Sequence, residues 1–273
     1  MNNLKDAKRI VFKVGTSTLT YDTGKTNLRR MEALVKVLAD LSNSGREVVL
    51  VTSGAIAIGV GKMGLEGAVR DTPLRQAAAC VGQCELMFMY DKFFTQYGKI
   101  IGQLLITRGD VENGERQQNL INAFDKMISH GVIPVINEND SVAVEEMVFG
   151  DNGNSTVFGD NDNLSAIVAK LVKADALVLL SDVDGLYSAN PHEDPEARII
   201  PLVERVDDSF FAIAGGAGSS RGTGGMLTKL QAAKYAAEAG IDTVIMNGSV
   251  PEDVYALIDG RQTGTFFKRA SDK

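Results

Sequence analysis

The feature that most constrains the fold is a regular alternation of short apolar segments with longer helical segments along the 273 residues. The apolar segments are rich in Val and Ile and apolar on both faces, which is typical of parallel strands covered on both sides. Strands are predicted at Ile10–Val14, Val48–Thr52, Ile100–Ile106, Val132–Ile136, Ala176–Leu180 and Thr243–Met246. This pattern predicts an α/β fold, a three-layer α/β/α sandwich with a mainly parallel central sheet.

Helical periodicity and capping signals mark the segments between the strands. Helices are predicted at Asn27–Ser44, Thr72–Tyr97, Glu115–His130, Leu164–Lys173 and Met226–Ala239, and several of them are followed by Gly. Long loops are predicted over residues 150–159, 187–195 and 214–225. Because open parallel sheets bind ligands at the carboxyl ends of their strands, the loops that follow the strands are the expected functional sites.

Charge and hydropathy exclude several classes of protein. The net charge of −7 argues against nucleic acid as the main partner, although a few cations in a cleft can still bind a small anion. The sequence contains no apolar run of about 18 residues and no signal-peptide core, so we expect a cytoplasmic protein with no membrane segment. Cys80 and Cys84 are expected to face the packed side of one helix, and a zinc site is not expected.

Two glycine motifs resemble nucleotide-binding signatures but lack their context. Thr23–Thr26 reads TGKT, yet the first Gly of a P-loop is missing, since Leu19 occupies its position. Gly59–Gly64 matches G-x-G-x-x-G, but it does not follow a strand directly. We therefore predict neither a P-loop nor a Rossmann dehydrogenase.

Two strand ends near the N-terminus carry candidate phosphate or anion ligands. Lys13 lies within the apolar strand IVFKV, where a cation is costly unless it meets an anion or a polar cleft. Alternatively, Lys13 lies on an edge strand in solvent. Ser53 follows the second strand in VTSGAI, at the start of a small-residue helix that could bind an anion. A plain strand–helix turn is the alternative.

Two acidic and amide-rich segments occur in the middle of the chain. Asn137 and Asp140 belong to INEND at the end of a strand, where they could bind a substrate ammonium group or simply form a turn. Asp160, Asn161 and Asp162 belong to FGDND and precede a helix, which they could also merely cap.

Two further segments suit a nucleotide. Ser181 and Asp182 end a strand at a position fit for a base and ribose. The segment SSRGTGGMLTK is rich in Gly, which allows close approach to phosphates, and it places Lys229 one turn into the following helix. A flexible surface loop is the alternative reading of this segment.

The six segments, in this order, resemble the amino acid kinase family, and within it the branch that phosphorylates free glutamate. The resemblance covers about Lys8 to Thr265, and VTSGAI, INEND, FGDND and GTGGM with TK are its most specific motifs. It implies that Lys13 and Lys229 flank the transferring phosphoryl group and that Asp162 orients them. The other residues that it implies are Ser53, Asp140, Asn161 and Asn137 for glutamate, and Lys13, Ser181, Asp182, Thr223, Gly224, Gly225, Met226, Leu227, Thr228 and Lys229 for ATP.

The chemistry implied by the resemblance needs no general base. The acceptor would be the γ-carboxylate of L-glutamate, which titrates near pH ~4.3 and is already ionised at neutral pH. Catalysis would then consist of alignment and charge neutralisation by the two lysines and by Mg²⁺ bound through the phosphates of ATP, with no direct metal ligand. The product would be γ-glutamyl 5-phosphate, the first intermediate toward proline.

The resemblance also implies partners and a domain plan. Proline is expected as a feedback inhibitor, glutamate-5-semialdehyde dehydrogenase as the enzyme that receives the product, and a homo-oligomer as the assembly. Many relatives carry a C-terminal PUA domain, which is expected to be absent here. One domain of residues 1–273 is predicted, with a substrate-binding half at 1–173 and a nucleotide-binding half at 174–267.

An internal repeat departs from the family pattern. Val148–Thr156 reads VFGDNGNST and Val157–Ser165 reads VFGDNDNLS. We assign function to the second copy because it contains Asp162 and leads into a helix, so loss of Asp160 or Asp162 should matter more than loss of Asp151.

Two other functions remain open from the sequence. One is a kinase of the same family that acts on N-acetylglutamate, aspartate, carbamate or UMP, although INEND and the GTGGM segment argue against it. The other is a non-catalytic sensor of nucleotide or amino acid, against which both lysines and Asp162 argue.

Overall fold

A computed structural model of the chain describes residues 4–21, 23–65, 69–143, 161–191, 193–214 and 225–270. The described strands are β1 (Arg9–Val14), β2 (Glu47–Val51), β3 (Ile101–Ile106), β4 (Ile133–Glu138), β5 (Ala176–Ser181), β6 (Leu202–Val203), β7 (Asp242–Asn247) and β8 (Thr265–Phe267). They form one sheet in the order β3-β4-β2-β1-β5-β7-β8-β6. The described pairs are parallel except β7 with β8, so the predicted α/β fold with a mainly parallel sheet is confirmed.

The described α-helices connect these strands. They are α1 (Thr16–Leu19), α2 (Leu28–Asn43), α3 (Ala55–Lys62), α4 (Thr72–Gln96), α5 (Arg108–Glu112), α6 (Gly114–Ser129), α7 (Asn161–Leu171), α8 (Asp208–Ala214), α9 (Met226–Glu238) and α10 (Asp253–Ile258). All six predicted strands and all five predicted helices are confirmed, with shifts at their ends. The largest shift is at α7, which begins at Asn161 rather than Leu164 because Asn161, Asp162 and Asn163 already lie within the helix.

The chain forms two compact units that interleave in sequence. The first comprises residues 1–13, 146–248 and 253–273, and the second comprises residues 14–145 and 249–252. The sequence placed the boundary between halves after residue 173, whereas β1 up to Lys13 and α7 both belong to the first unit. Which half binds which substrate stays a prediction.

In the first unit, the core is built on β5 and β7. All six residues of β5 are buried, and β5 pairs in parallel with β7 from Ala176↔Asp242 to Ser181↔Asn247. This register brings the carboxyl ends of the two strands side by side. The residues that follow Ser181 and Asn247 are therefore neighbours at one edge of the sheet.

In the second unit, parallel pairing joins β4 to both β2 and β3. Val51 lies opposite Ile136, and Ile106 lies opposite Glu138. Helix α2 begins at its N-cap Asn27, whose side chain accepts a hydrogen bond from the Arg30 backbone at 3.2 Å. The strand ends of this unit therefore carry the turns that contain Ser53 and INEND.

Helices α3 and α4 of the second unit touch through their backbones. A Cβ atom placed on Gly59 would lie 1.8 Å from the Ala78 carbonyl oxygen, and one on Gly82 would lie 1.7 Å from the Ala55 carbonyl oxygen. Only Gly permits this approach. The G-x-G-x-x-G match therefore lies largely within a helix and serves packing, which agrees with the rejection of a dinucleotide loop.

The prediction that Cys80 and Cys84 lie in the core is wrong. Both are exposed. The buried side of α4 carries Ala78, Ala79 and Gly82, so the cysteines lie on the opposite side of the helix. The apolar residues of α4 are spread around the whole helix, so periodicity alone did not indicate which side is buried.

Across the parts of the chain that the structure describes, no helix combines the length and the apolar character needed to cross a membrane.

Candidate active site

Two lysines contact one buried carboxylate in the first unit. Lys13 Nζ lies 2.6 Å from Asp162 Oδ1, and Lys229 Nζ lies 3.1 Å from Asp162 Oδ2. The side chains of Lys13, Lys229 and Asp162 are 5%, 6% and 0% exposed. The structure thus brings together three residues that are distant in sequence, and the two ammonium groups share one partner rather than pointing to separate regions.

Three different elements supply this cluster. Lys13 is the fifth residue of β1, Asp162 lies in the first turn of α7, and Lys229 lies in the first turn of α9. A carboxylate in the first turn of a helix is stabilised by the backbone N–H groups and the helix dipole. The position of Asp162 therefore favours its ionised form, which is the form that pairs with lysine.

Two hydroxyl groups donate hydrogen bonds to Asp162, one to its side chain and one to its backbone. Thr228 Oγ1 lies 3.0 Å from Asp162 Oδ2 and 2.9 Å from the Gly225 carbonyl oxygen. Ser165 donates a hydrogen bond of 2.6 Å to the backbone carbonyl of Asp162. Thr228 is only 1% exposed. It therefore ties the start of α9 to the carboxylate that both lysines contact.

The burial of this cluster has an energetic cost. Removing charges from water is expensive, and an ion pair offsets that cost only with close, hydrogen-bonded geometry. Within these three described side chains alone, two ammonium groups and one carboxylate give a formal sum of one positive charge. Such a site attracts a polyanion, and lysine is a common phosphate ligand.

The predicted nucleotide residues of β5 lie at its carboxyl end. Ser181 Oγ donates to Asp182 Oδ1 at 3.1 Å, and the Ser181 carbonyl accepts from the Gly248 backbone at 2.7 Å. Ser181 is buried, whereas Asp182 is exposed. The exposed Asp182 carboxylate is therefore accessible to a ligand at this strand end.

A second polar pair lies beside this strand end. Asn247 Nδ2 donates to Asp184 Oδ1 at 2.7 Å, and Tyr187 donates to Asp184 Oδ2 at 3.3 Å. Partial burial, and then the charge of Asp184 and the hydrogen bond to it, raise the pKa of the Tyr187 hydroxyl. Tyr187 therefore remains a donor to Asp184 at neutral pH. Sequence reasoning missed Asn247, which directly follows the predicted strand Thr243–Met246 and is the last residue of β7.

The start of α9 contains the remaining predicted nucleotide residues. Gly225 is the N-cap, and Met226, Leu227, Thr228 and Lys229 form the first turn. Thr223 and Gly224 lie outside the described residues, as do Asp160, Asp151 and the repeated segment 148–156. Their predicted roles stay predictions.

In the second unit, Ser53 begins the turn into α3. The N-cap Gly54 has φ +98°, a left-handed conformation that favours Gly. Thr52, just before this turn, shares a buried hydrogen bond of 2.8 Å with the Tyr90 hydroxyl. Burial raises the pKa of Tyr90 well above its ordinary value, so this hydroxyl stays protonated.

Asn137 lies at the neighbouring strand end and is 1% exposed. Its Nδ2 donates a hydrogen bond of 2.9 Å to Gln83 Oε1. Asp140 lies three residues further on, in the turn that follows β4, and is partly exposed. Asn161, the fourth residue predicted to bind glutamate, is the first residue of α7 in the other unit. Sequence reasoning missed Gln83, a buried polar residue on α4.

Among the residues that the structure describes, no group of three or more His, Cys, Asp or Glu side chains is placed to hold a metal ion.

The family model described as "Amino acid kinase family" matches residues 8–247 of the chain. The chain belongs to this family. Two relatives named glutamate 5-kinase are similar to nearly the whole chain. The relative from Clostridium perfringens is 48% identical over 264 residues, which is 97% of this chain and 96% of the relative. The relative from Listeria monocytogenes is 48% identical over 265 residues, 97% of this chain and 94% of the relative.

Solved structures of two other kinases share the fold. The product complex of isopentenyl phosphate kinase from T. acidophilum has a TM-score of 0.62 at 19% identity, and the match covers 95% of this chain and 100% of that one. UMP kinase from Bacillus anthracis has a TM-score of 0.62 at 17% identity, and the match covers 97% of each chain. These likenesses establish the fold and carry no information about the substrate.

Proposed function

We propose that the chain transfers the γ-phosphoryl group of ATP to the γ-carboxylate of L-glutamate, giving γ-glutamyl 5-phosphate, the first step of proline biosynthesis. The observation that carries the proposal is the contact of Lys13 and Lys229 with the single carboxylate of Asp162. Two relatives that are 48% identical to this chain bear the name glutamate 5-kinase. Together they favour phosphoryl transfer with glutamate as the acceptor.

The proposed reaction forms one bond and breaks one. A γ-carboxylate oxygen of glutamate attacks the γ-phosphorus of ATP, the bond from that phosphorus to the β,γ-bridging oxygen breaks, and ADP leaves. The carboxylate is already ionised at neutral pH, so no proton has to be removed from it. The protein then contributes alignment and electrostatic stabilisation of the phosphoryl oxygens.

Lys13 and Lys229 are proposed to donate to the transferring phosphoryl group, with Asp162 as the positioning residue. Because Asp162 is fully buried and contacts both lysines, it suits the orientation of cations rather than direct contact with a metal. Mg²⁺ is proposed to arrive as part of the nucleotide substrate, bound by phosphate oxygens, and to neutralise their charge.

The remaining roles are proposals residue by residue. Ser181, Asp182 and the segment from Thr223 to Lys229 are proposed to bind ATP. Ser53, Asn137, Asp140 and Asn161 are proposed to bind glutamate, with Asp140 accepting from its ammonium group. Inhibition by proline, transfer of the product to glutamate-5-semialdehyde dehydrogenase and assembly as a homo-oligomer stay predictions.

Hydroxylamine trapping tests the proposal. Enzyme, glutamate, ATP, Mg²⁺ and hydroxylamine should give γ-glutamyl hydroxamate, and Lys13→Ala should abolish its formation while the protein stays folded by circular dichroism. N-acetylglutamate, aspartate, carbamate and UMP serve as competing acceptors. ATP binding without glutamate-dependent release of ADP would favour a sensor and contradict the proposal.

A further inference from the structure

Helix α4 carries an amide side chain, that of Gln83, on its buried side. Gln83 is 9% exposed, and its neighbours on the same side include Ala79 and Leu86, which are 3% and 0% exposed. An apolar residue of similar size would fill this position without the cost of removing an amide from water. Packing alone therefore does not account for Gln83.

The Gln83 amide is only half satisfied. Its Oε1 accepts the hydrogen bond of 2.9 Å from Asn137 Nδ2, whereas its Nε2 is buried and has no hydrogen-bond partner within the described ranges. A buried donor without a partner destabilises the folded state. The fold thus tolerates a loss of stability in order to present one acceptor to Asn137.

Gln83 lies where two of the turns proposed to bind glutamate come together. The adjacent Gly82 touches Ala55, the first residue of α3, which directly follows Ser53 and Gly54. Asn137 follows Ile136, whose carbonyl accepts from the Thr52 backbone at 2.8 Å. All these residues belong to the second unit. The Gln83 side chain on α4 is therefore hydrogen-bonded to the end of β4, next to the place where α4 contacts the start of α3.

We propose that Gln83 is a positioning residue for glutamate. Its Oε1 accepts the hydrogen bond from the Asn137 amide, and this contact fixes the conformation of the INEND turn that carries Asp140. The inference rests on the proposed function and deepens it, because it concerns the acceptor and not the nucleotide. Gln83 itself is not proposed to contact glutamate, since its Nε2 is buried.

The test replaces Gln83 by Met, which keeps the length of the side chain and removes the amide. The expected result is a rise of about tenfold in the KM for glutamate, with the KM for ATP within about twofold of the parent. The melting temperature should change little, because removal of the unpartnered Nε2 donor offsets the loss of the acceptor for Asn137 Nδ2. Gln96→Met is the matched control, since Gln96 is exposed on the same helix, and its kinetic constants should be unchanged.

Two further variants separate a positioning role from other roles. Gln83→Glu keeps an acceptor for Asn137 and should restore most of the glutamate KM. A Glu variant with a glutamate KM no better than that of the Met variant would mean that an acceptor for Asn137 does not position the substrate, and would overturn the proposal. In an Asn137→Ala background, Gln83→Met should add little, because the two residues act in series. Additive effects would contradict action through Asn137.

The outcome for Gln83 is distinguishable from the outcome for the proposed function. If the parent forms no γ-glutamyl hydroxamate, the proposed function fails. If the parent forms it and Gln83→Met has the parental glutamate KM, only the inference about Gln83 is wrong. The inference is equally wrong if Gln83→Met raises both KM values together and lowers the melting temperature. That result would mean that Gln83 stabilises the fold and has no specific effect on glutamate.

Discussion

A lysine inside an apolar strand is tolerated only where its ammonium group meets an anion. Lys13 follows three buried apolar residues of β1 and reaches Asp162, a contact that a polar residue of shorter reach could not make. The same carboxylate meets Lys229 from α9. Each lysine is therefore held in place before any ligand arrives, which reduces the cost of ordering it during the reaction.

Replacing either lysine should lower the rate of catalysis while the protein stays folded. Lys13→Met and Lys229→Met should each lower kcat by about 10²–10³, because a preorganised donor to the phosphoryl group is lost. The expected loss appears in steady-state formation of γ-glutamyl hydroxamate. Lys170→Met, which changes an exposed lysine of α7, is the control and should keep the parental kcat. A parental kcat in both active-site variants would contradict the proposed role of the cluster.

At the residue scale, sequence reasoning could choose candidates but could not choose their partners. A lysine in an apolar strand and an Asp at the start of a helix can both be recognised from the local sequence. Nothing local indicates that Lys13 and Lys229 would share Asp162, because this depends on which strands and helices become neighbours. Sequence reasoning did not identify Gln83 for a related reason. Only the position of β4 shows that the Gln83 amide contacts Asn137.

At the scale of a single element, short helices depend on their caps. In α5, the Asp110 carboxylate accepts from the Thr107 backbone at 2.9 Å and from the Thr107 hydroxyl at 2.6 Å, and Arg116 donates to it at 3.1 Å. The hydrogen bond from the Thr107 hydroxyl is the main cause that lowers the pKa of Asp110. The ionised form of this residue therefore stabilises the helix start.

This lowered pKa gives a pH-dependent prediction. Asp110→Asn should reduce the free energy of unfolding by about 1 kcal/mol at pH 7. Since the folded-state pKa is lowered, the stabilisation is present above the ordinary pKa of Asp, near ~3.9, and is lost as the pH falls through the folded value. Urea unfolding should show the gap between variant and parent closing below pH ~4. A gap that stays constant to lower pH would show that the charge is not responsible.

The backbone contact between α3 and α4 gives a prediction about packing. Gly59→Ala should lower the free energy of unfolding by about 1–3 kcal/mol, because the added methyl group meets a carbonyl oxygen of the other helix. Gly114→Ala is the matched control: a Cβ there meets nothing within 4 Å, so we expect a change of at most about 1 kcal/mol, toward higher stability. Thermal unfolding of the two variants measures the difference. Equal stability of the two would contradict the tight approach of the helices.

At the scale of the whole molecule, the strands of five or six residues were the parts that sequence could predict. β1, β2, β3, β4, β5 and β7 are runs of Val, Ile and Leu long enough to stand out. Strands β6 and β8 have two and three residues, too few for any periodic pattern. The pairing of β8 with β7, and of β6 with β8, depends on tertiary contacts. The interleaving of the two units was missed because β1 precedes the second unit in sequence.

Ligand binding should be measurable as stability of the folded chain. A non-hydrolysable ATP analogue with Mg²⁺, at a hundred times its Kd, should raise the free energy of unfolding by about 2.7 kcal/mol. At the same concentration, Lys229→Met should show a smaller rise, because part of the affinity for the phosphates is gone. Thermal shift measurements with and without the analogue compare the two proteins. An equal rise in the free energy of unfolding of parent and variant would show that Lys229 does not contribute to nucleotide binding.

The outward position of the two cysteines has a practical consequence. Cys80 and Cys84 are exposed and one helical turn apart on α4, and they are the only thiols in the sequence. A bifunctional spin label could attach to both at once and hold its nitroxide rigidly to the helix. The unaltered protein would then report the orientation of α4 by electron paramagnetic resonance as substrates bind, with no engineered attachment point.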